Sequence, residues 1–227
     1  AEPRQSLAAP TKTGWPLWEQ RDLIQMLVRR DIVIKYKQSI MGFFWAILMP
    51  ILVIVGGILV RTVFATMAGQ TASSADLAAI TVKAVPWAFV VAAVRFSTNS
   101  LVANAALVTK IYLPRQVFPI AAVLSQVVDL GIATGPVVLL LAWFQVGISS
   151  QLLWIPVLLL ILLVNVMAAG IVLSAASLFF RDVKYLVEVG LTFAIFVTPV
   201  FYGVADIPKW STILQLNPIA PILEAMV

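Results

Sequence analysis

The sequence predicts an all-α, polytopic membrane helix bundle, and two observations carry that prediction. Of 227 residues, 62% are hydrophobic and only 11% charged, with a mean hydropathy of +1.03, where a soluble domain carries about 25% charged residues. A basic segment also runs directly into an apolar one. Four of the nine residues from Arg29 to Lys37 are cationic (Arg29, Arg30, Lys35, Lys37), and Ile40 to Val60 holds no charge. An apolar run of about 18 residues crosses a hydrocarbon core about 30 Å thick, and Lys/Arg excess on one flank marks that flank as cytoplasmic.

The same composition narrows the chemistry. With no Cys and no His, disulfides, thiolate metal sites, a Cys nucleophile and the commonest general base are all absent. The net charge of +5 would suggest nucleic acid in a soluble protein, but here the cations cluster at membrane flanks and read as topology. No secretory signal peptide is evident, because the first apolar run starts only near Ile40 and is too long for one.

Taken in order, residues 1–16 read as a loose polar tail. Residues 17–40 read as an amphipathic helix at the cytoplasmic interface, with Leu23, Ile24, Leu27, Val28, Ile32 and Ile34 recurring at spacings of roughly three and four; an ordinary cytosolic surface helix has the same pattern. Five spans follow at about 43–63, 85–108, 117–148, 152–180 and 189–204, with Gly56 and Gly57 allowing close helix approach in the first. The third is longer than a straight crossing needs, so tilt or a break is expected near Gly131, Gly135 and Pro136.

Eleven Lys/Arg fall on 1–40, 107–116 and 181–188, against three (Arg61, Lys83, Lys209) on the opposite side, which puts the amino terminus inside. Residues 207–227 are apolar but interrupted by Pro208, Asn217, Pro218 and Pro221. They suit a short re-entrant or interfacial hairpin, whose irregular backbone must be buried against protein or water.

Tyr36, Lys37, Ser39, Gly42, Trp45 and Pro50 form the first of five ordered strings. The others are TKIYLPRQVFP (Thr109 to Pro119), FRDVKYLVE (Phe180 to Glu188), TPVFY (Thr198 to Tyr202) and NPIAPILEAM (Asn217 to Met226). In this order they resemble the membrane (permease) subunit of bacterial polysaccharide and polyol-phosphate ABC exporters, of the O-antigen, capsule or teichoic acid type. The likeness begins near Trp15. In that family a sixth span follows the hairpin, so a final segment is expected beyond Val227.

The resemblance implies a division of labour. None of the seven Lys follows a Gly, so the phosphate-cradling Gly-Lys-Ser/Thr loop is absent. The chain itself is expected to be no enzyme and to hold no cofactor, with ATP and Mg bound by a separate cytoplasmic ATPase. Lys110, Tyr112, Pro114, Arg115 and Phe118 resemble the coupling helix that seats in that ATPase, and Arg181 and Asp182 form a second candidate contact; a plain positive-inside loop would have the same charges. The family also implies a second copy of the chain across a canal, and a lipid-linked glycan as cargo in the bacterial plasma membrane.

Several residues suit such a canal. Phe43, Phe44 and Trp45 lie at the inner end of the first span, and Phe193, Phe196, Phe201 and Tyr202 run along the fifth; aromatic faces bind sugar rings, though aromatic belts and lipid packing use the same residues. Arg29, Arg30, Lys35 and Lys37 could receive an anionic lipid pyrophosphate, or simply anchor to anionic lipid. Arg95 and Asp129 lie at similar depth inside the second and third spans, so an intramembrane pair is expected, with Asn99, Asn104 and Asn165 as interhelical glue. Two rivals stay open. A permease for small molecules or drugs would share the topology, and an enzyme of lipid-linked sugars would need a carboxylate or metal cluster that the ten scattered acidic residues do not form.

Overall fold

The computed structural model describes residues 20–37, 42–67, 69, 71–110, 113–144, 153–204, 214 and 216–227. Eight helices order the described chain: α1 (Arg21–Lys37), α2 (Gly42–Met67), α3 (Ser74–Ala103), α4 (Ala105–Lys110), α5 (Val117–Trp143), α6 (Ile155–Phe179), α7 (Val183–Val197) and α8 (Ala220–Glu224). Among the described residues there is no strand. Four helices are long and apolar enough to cross a membrane: Phe44–Met67, Ser74–Ala103, Val117–Trp143 and Ile155–Phe179. The chain is therefore a multi-pass helix bundle.

Boundaries differ from expectation in two informative places. Helix α3 begins eleven residues before Val85, because Ser73 caps it: the Ser73 hydroxyl accepts from the Asp76 amide and the Asp76 carboxylate accepts from the Ser73 amide, each at 3.1 Å. This reciprocal capping box satisfies two amides that would otherwise lack partners. Lys83, expected in an outer loop, is consequently inside the helix and buried. Helix α7 ends at Val197 rather than continuing to 204. Thr198 precedes Pro199 and takes an extended backbone (φ −102°, ψ 130°), as residues before proline do. Its 15 residues rise about 22 Å, less than a hydrocarbon core of about 30 Å.

Helix α5 runs unbroken through Gly131, Gly135 and Pro136, so of the tilt or break expected there the break is not present. Proline inside a membrane helix is tolerated where neighbours and local adjustment satisfy the freed carbonyl.

Helix α3 is the axis of the bundle and touches α2, α4, α5, α6, α7 and α8. Trp87, Phe89, Val90 and Ala93 of α3 pack with Val123, Leu162 and Val166 from α5 and α6, and with Ile222, Leu223 and Met226 from the carboxyl-terminal segment. Close approach of α3 to α6 depends on a small residue. A Cβ on Gly170 would lie 2.6 Å from the Ser97 hydroxyl, and about two turns further along α6 the Ser177 hydroxyl donates across the interface to the Thr98 carbonyl at 2.8 Å. Small faces of this kind let membrane helices associate through packing and hydrogen bonds.

The carboxyl-terminal segment folds back onto the middle of α3. Leu223 is fully buried, the Asn217 amide donates to the Thr198 hydroxyl at 2.9 Å, and the Lys83 ammonium pairs with Glu224 and donates to the Tyr202 carbonyl at 3.4 Å. At the opposite end of the molecule, Leu27 of α1 packs against Leu101, Val117, Phe118 and Ala121, joined by Leu23, Ile24 and Val28. Leu23, Ile24, Leu27 and Val28 of the stripe read from the sequence form the face that docks, whereas Ile34 is exposed. That face carries α1 alongside the first half of α5.

Candidate functional site

A cavity of about 480 Å³ opens among α2, α3, α5 and α7, with Lys35 of α1 at its rim. Its apolar wall includes Trp45, Met49 and Pro50 from α2, Trp87, Phe89 and Phe96 from α3, and Leu191 and Ile195 from α7. Its polar groups are Lys35, Arg95, Gln126, Asp129 and Thr192. The volume and the mix of aromatic wall with a few fixed polar groups are those of a ligand site.

The polar groups are organised as two separate pairs. Asp129 accepts from the Lys35 ammonium and from the Tyr36 hydroxyl, and the same ammonium donates to the Gln126 side-chain carbonyl at 3.2 Å. Lys35 also lies 5.3 Å from the centre of the Phe96 ring, within cation–π range. Burial, and after it the hydrogen bond and charge of Asp129, push the Tyr36 phenol well above its ordinary range, so Tyr36 remains a donor. Arg95 pairs instead with Glu188 of α7, Nε to carboxylate 2.8 Å.

The expected Arg95–Asp129 pair is therefore corrected. Both residues line the cavity at comparable depth, but α1 brings a cation to Asp129 and α7 brings a carboxylate to Arg95. The expected interhelical asparagines are corrected too: Asn104 and Asn165 donate to carbonyls of their own chain segments, Ser100 and Ile161, and Asn99 is exposed. Bridging between segments falls to Ser177 and Asn217 instead.

The remaining residues singled out from the sequence separate by exposure. Arg29 and Lys37 are exposed, while Arg30 is partly buried and pairs with its neighbour Asp31 at 2.8 Å. Trp45 sits at the cavity, half-exposed, in an edge-on contact with Phe44, ring centres 6.4 Å apart. Phe193 and Phe196 are exposed on α7 and outside the cavity lining. Tyr202 folds back, its hydroxyl donating to the Phe196 carbonyl at 2.8 Å. Tyr112 and the side chain of Phe43 lie outside the described residues.

At the end of the bundle where α1 packs on the start of α5, Lys110, Arg115, Arg181 and Asp182 are exposed and Pro114 is partly buried. Phe118 is 2% exposed and packs under Leu27, so it supports this surface from beneath and cannot itself touch a partner. Leu107, Val108 and Leu113 join the same cluster, which fastens α4 and the start of α5 to α1. Sequence reasoning missed Glu188, Gln126 and Glu224 as charge partners; Ser73 and Asp76, at capping-box spacing, were a readable signal for the start of α3.

Comparison with known proteins places this geometry. The family description "ABC-2 type transporter" matches residues 22–227. The chain is 28% identical over 206 residues to a protein of Klebsiella pneumoniae named O-antigen export system permease protein RfbA, covering 89% of this chain and 77% of that one. It is 27% identical over 212 residues to a Myxococcus xanthus protein of the same name, covering 92% and 80%. A match over nearly the whole described bundle, cavity and carboxyl-terminal segment included, means that this chain belongs to the ABC-2 type transporter family of membrane subunits.

Proposed function

We propose that this chain is the permease subunit of an ATP-driven exporter that moves a lipid-linked polysaccharide outward across the bacterial plasma membrane. The observation that carries this reading is the similarity, across 89% of the chain, to proteins named O-antigen export permeases. The aromatic and polar cavity in the membrane domain is the chemistry such cargo asks for.

ATP and Mg are bound by a separate cytoplasmic ATPase, because the chain has no Gly-Lys pair to cradle phosphates. Two permeases and two ATPases form the working assembly, with the canal between the permeases. The amino terminus is cytoplasmic. Transferring Lys83 from an outer loop to the interior of α3 sharpens the charge asymmetry that supports this orientation.

The packing suggests how work would be transmitted. Closure of the ATPases pushes on the exposed segment around Lys110 and Arg115. That segment shares one apolar cluster with α1 and the start of α5, so the push moves both helices together. The far end of α1 holds Asp129 at the cavity, which brings the motion to the cargo path.

The test is reconstitution of the full-length permease with its ATPase and measurement of ATP hydrolysis with and without lipid-linked glycan. Stimulation by the glycan is expected. Hydrolysis that ignores glycan and responds to small amphiphiles would replace this reading with a drug-type exporter.

A further inference from the structure

We propose that Asp129 is a positioning residue for the mouth of the cavity: through Lys35 and Tyr36 it fixes where α1 ends, and so where the first part of α2, with Trp45, stands at the cavity edge.

Helix α2 is held unevenly along its length. Beyond Pro50 it is fixed, with Ile54 buried against Ala84, Val85, Ala133 and Val137, and with Gly57 so close to Ile80 and Phe201 that an added Cβ would lie 2.7 Å from each. From Phe44 to Met49 only Ala46 is buried, and Phe44, Trp45 and Met49 are exposed. Pro50, inside the helix, has no N–H for the Ala46 carbonyl, so the two parts meet at the weakest turn. Trp45, Ala46, Met49 and Pro50 all line the cavity. The loosely packed part of α2 is therefore one side of its mouth.

What holds that part lies just upstream in the chain. Trp45 follows Tyr36 by nine residues, and α1 touches α2. Asp129 accepts from the Lys35 ammonium on one carboxylate oxygen and from the Tyr36 hydroxyl on the other. Consecutive residues of a helix project about 100° apart, so two neighbours converging on one carboxylate fix the rotation of α1 as well as its end. Neutralising a carboxylate within a membrane needs only a cation, and Lys35 supplies it. The Tyr36 bond adds nothing to the charge balance; it adds aim.

The chain has no cysteine, so Ala46→Cys and Ile54→Cys, at positions 9% and 1% exposed, each give a unique thiol on one side of Pro50. The full-length permease, in complex with its ATPase and without cargo, would be labelled with a small maleimide. At Ala46→Cys, adding Tyr36→Phe should speed labelling by at least about threefold, the shift that one lost hydrogen bond gives a two-state equilibrium. Adding Lys35→Met together with Asp129→Leu strands no charge, and should speed it by about tenfold or more because every bond of the clasp is gone. Ile54→Cys should stay within about twofold of its parent rate in both backgrounds.

Parent rates at Ala46→Cys in either background would reduce the clasp to charge balance and overturn the inference. An equal rise at Ile54→Cys would overturn it too, as general loosening of the bundle. Because no cargo is present, the result is independent of the exporter reading: ATP hydrolysis that ignores glycan removes that reading and leaves the role of Asp129 standing.

Discussion

The pair that fastens the carboxyl-terminal segment makes an asymmetric prediction. Lys83 and Glu224 are bonded, but their side chains are 5% and 31% exposed, so removing one is not equivalent to removing the other. Glu224→Ala strands an ammonium that retains only the Tyr202 carbonyl, 3.4 Å away. Breaking a buried pair in this way costs about 3–5 kcal/mol, and because the ammonium keeps the Tyr202 carbonyl as an acceptor, about 3 kcal/mol is expected. Lys83→Met leaves a carboxylate that is itself 31% exposed, so about 1–2 kcal/mol is expected there. Removing both charges with Lys83→Met and Glu224→Leu should be nearly neutral, since apolar replacement of a buried pair often is.

Thermal unfolding in detergent, followed by tryptophan fluorescence, would show this order. At about 2–4 °C per kcal/mol for a chain of this size, Glu224→Ala should lower Tm by about 6–12 °C. A thiol at Met226, which is 8% exposed, provides a local readout: its labelling should rise with Glu224→Ala and return toward baseline with the double apolar variant. Equal shifts for the two single variants, or a double variant as unstable as Glu224→Ala, would refute the reasoning.

Glycines provide a paired test of packing. Gly170→Ala places a methyl 2.6 Å from the Ser97 hydroxyl and should cost about 1–3 kcal/mol by overpacking, whereas Gly56→Ala, with nothing within 4 Å, should leave Tm unchanged. The Arg95–Glu188 pair, with side chains 49% and 46% exposed, should couple by no more than about 1 kcal/mol in a double-mutant cycle of thermal stability. Replacing Tyr112 and Arg115 by Ala should preserve ATP hydrolysis by the bound ATPase but abolish its coupling to glycan export in reconstituted vesicles; unchanged export would rule out this segment as the coupling element.

The parts legible in the sequence were those encoded by period and run length. The stripe of Leu23, Ile24, Leu27 and Val28 docks as its spacing predicts, and long, predominantly apolar runs mark the four spanning helices. Helix ends were less legible, because they are decided by single local events: the Ser73–Asp76 capping box starts α3 inside what looks like a polar loop, and Pro199 stops α7 inside an apolar run. Composition averages over both events, although each leaves a mark at its own position.

The charged site shows a different limit. Depth along a helix can be counted from sequence, and by that count Arg95 and Asp129 are level; both do line one cavity. What the count cannot supply is which third helix passes beside each charge. Asp129 meets α1 because Leu27 docks on Val117 and Phe118, and the continuing helix then carries Lys35 and Tyr36 up to Gln126 and Asp129. The partner of a deep carboxylate is thus selected by an apolar contact eight residues away on another helix. Because Val117, Phe118 and Ala121 of α5 sit in the same cluster as Leu27, a shift of that cluster carries α1 and α5 together and keeps Lys35 on Asp129. The cluster around Leu27 and the rim of the cavity are thus joined through one helix packed on another.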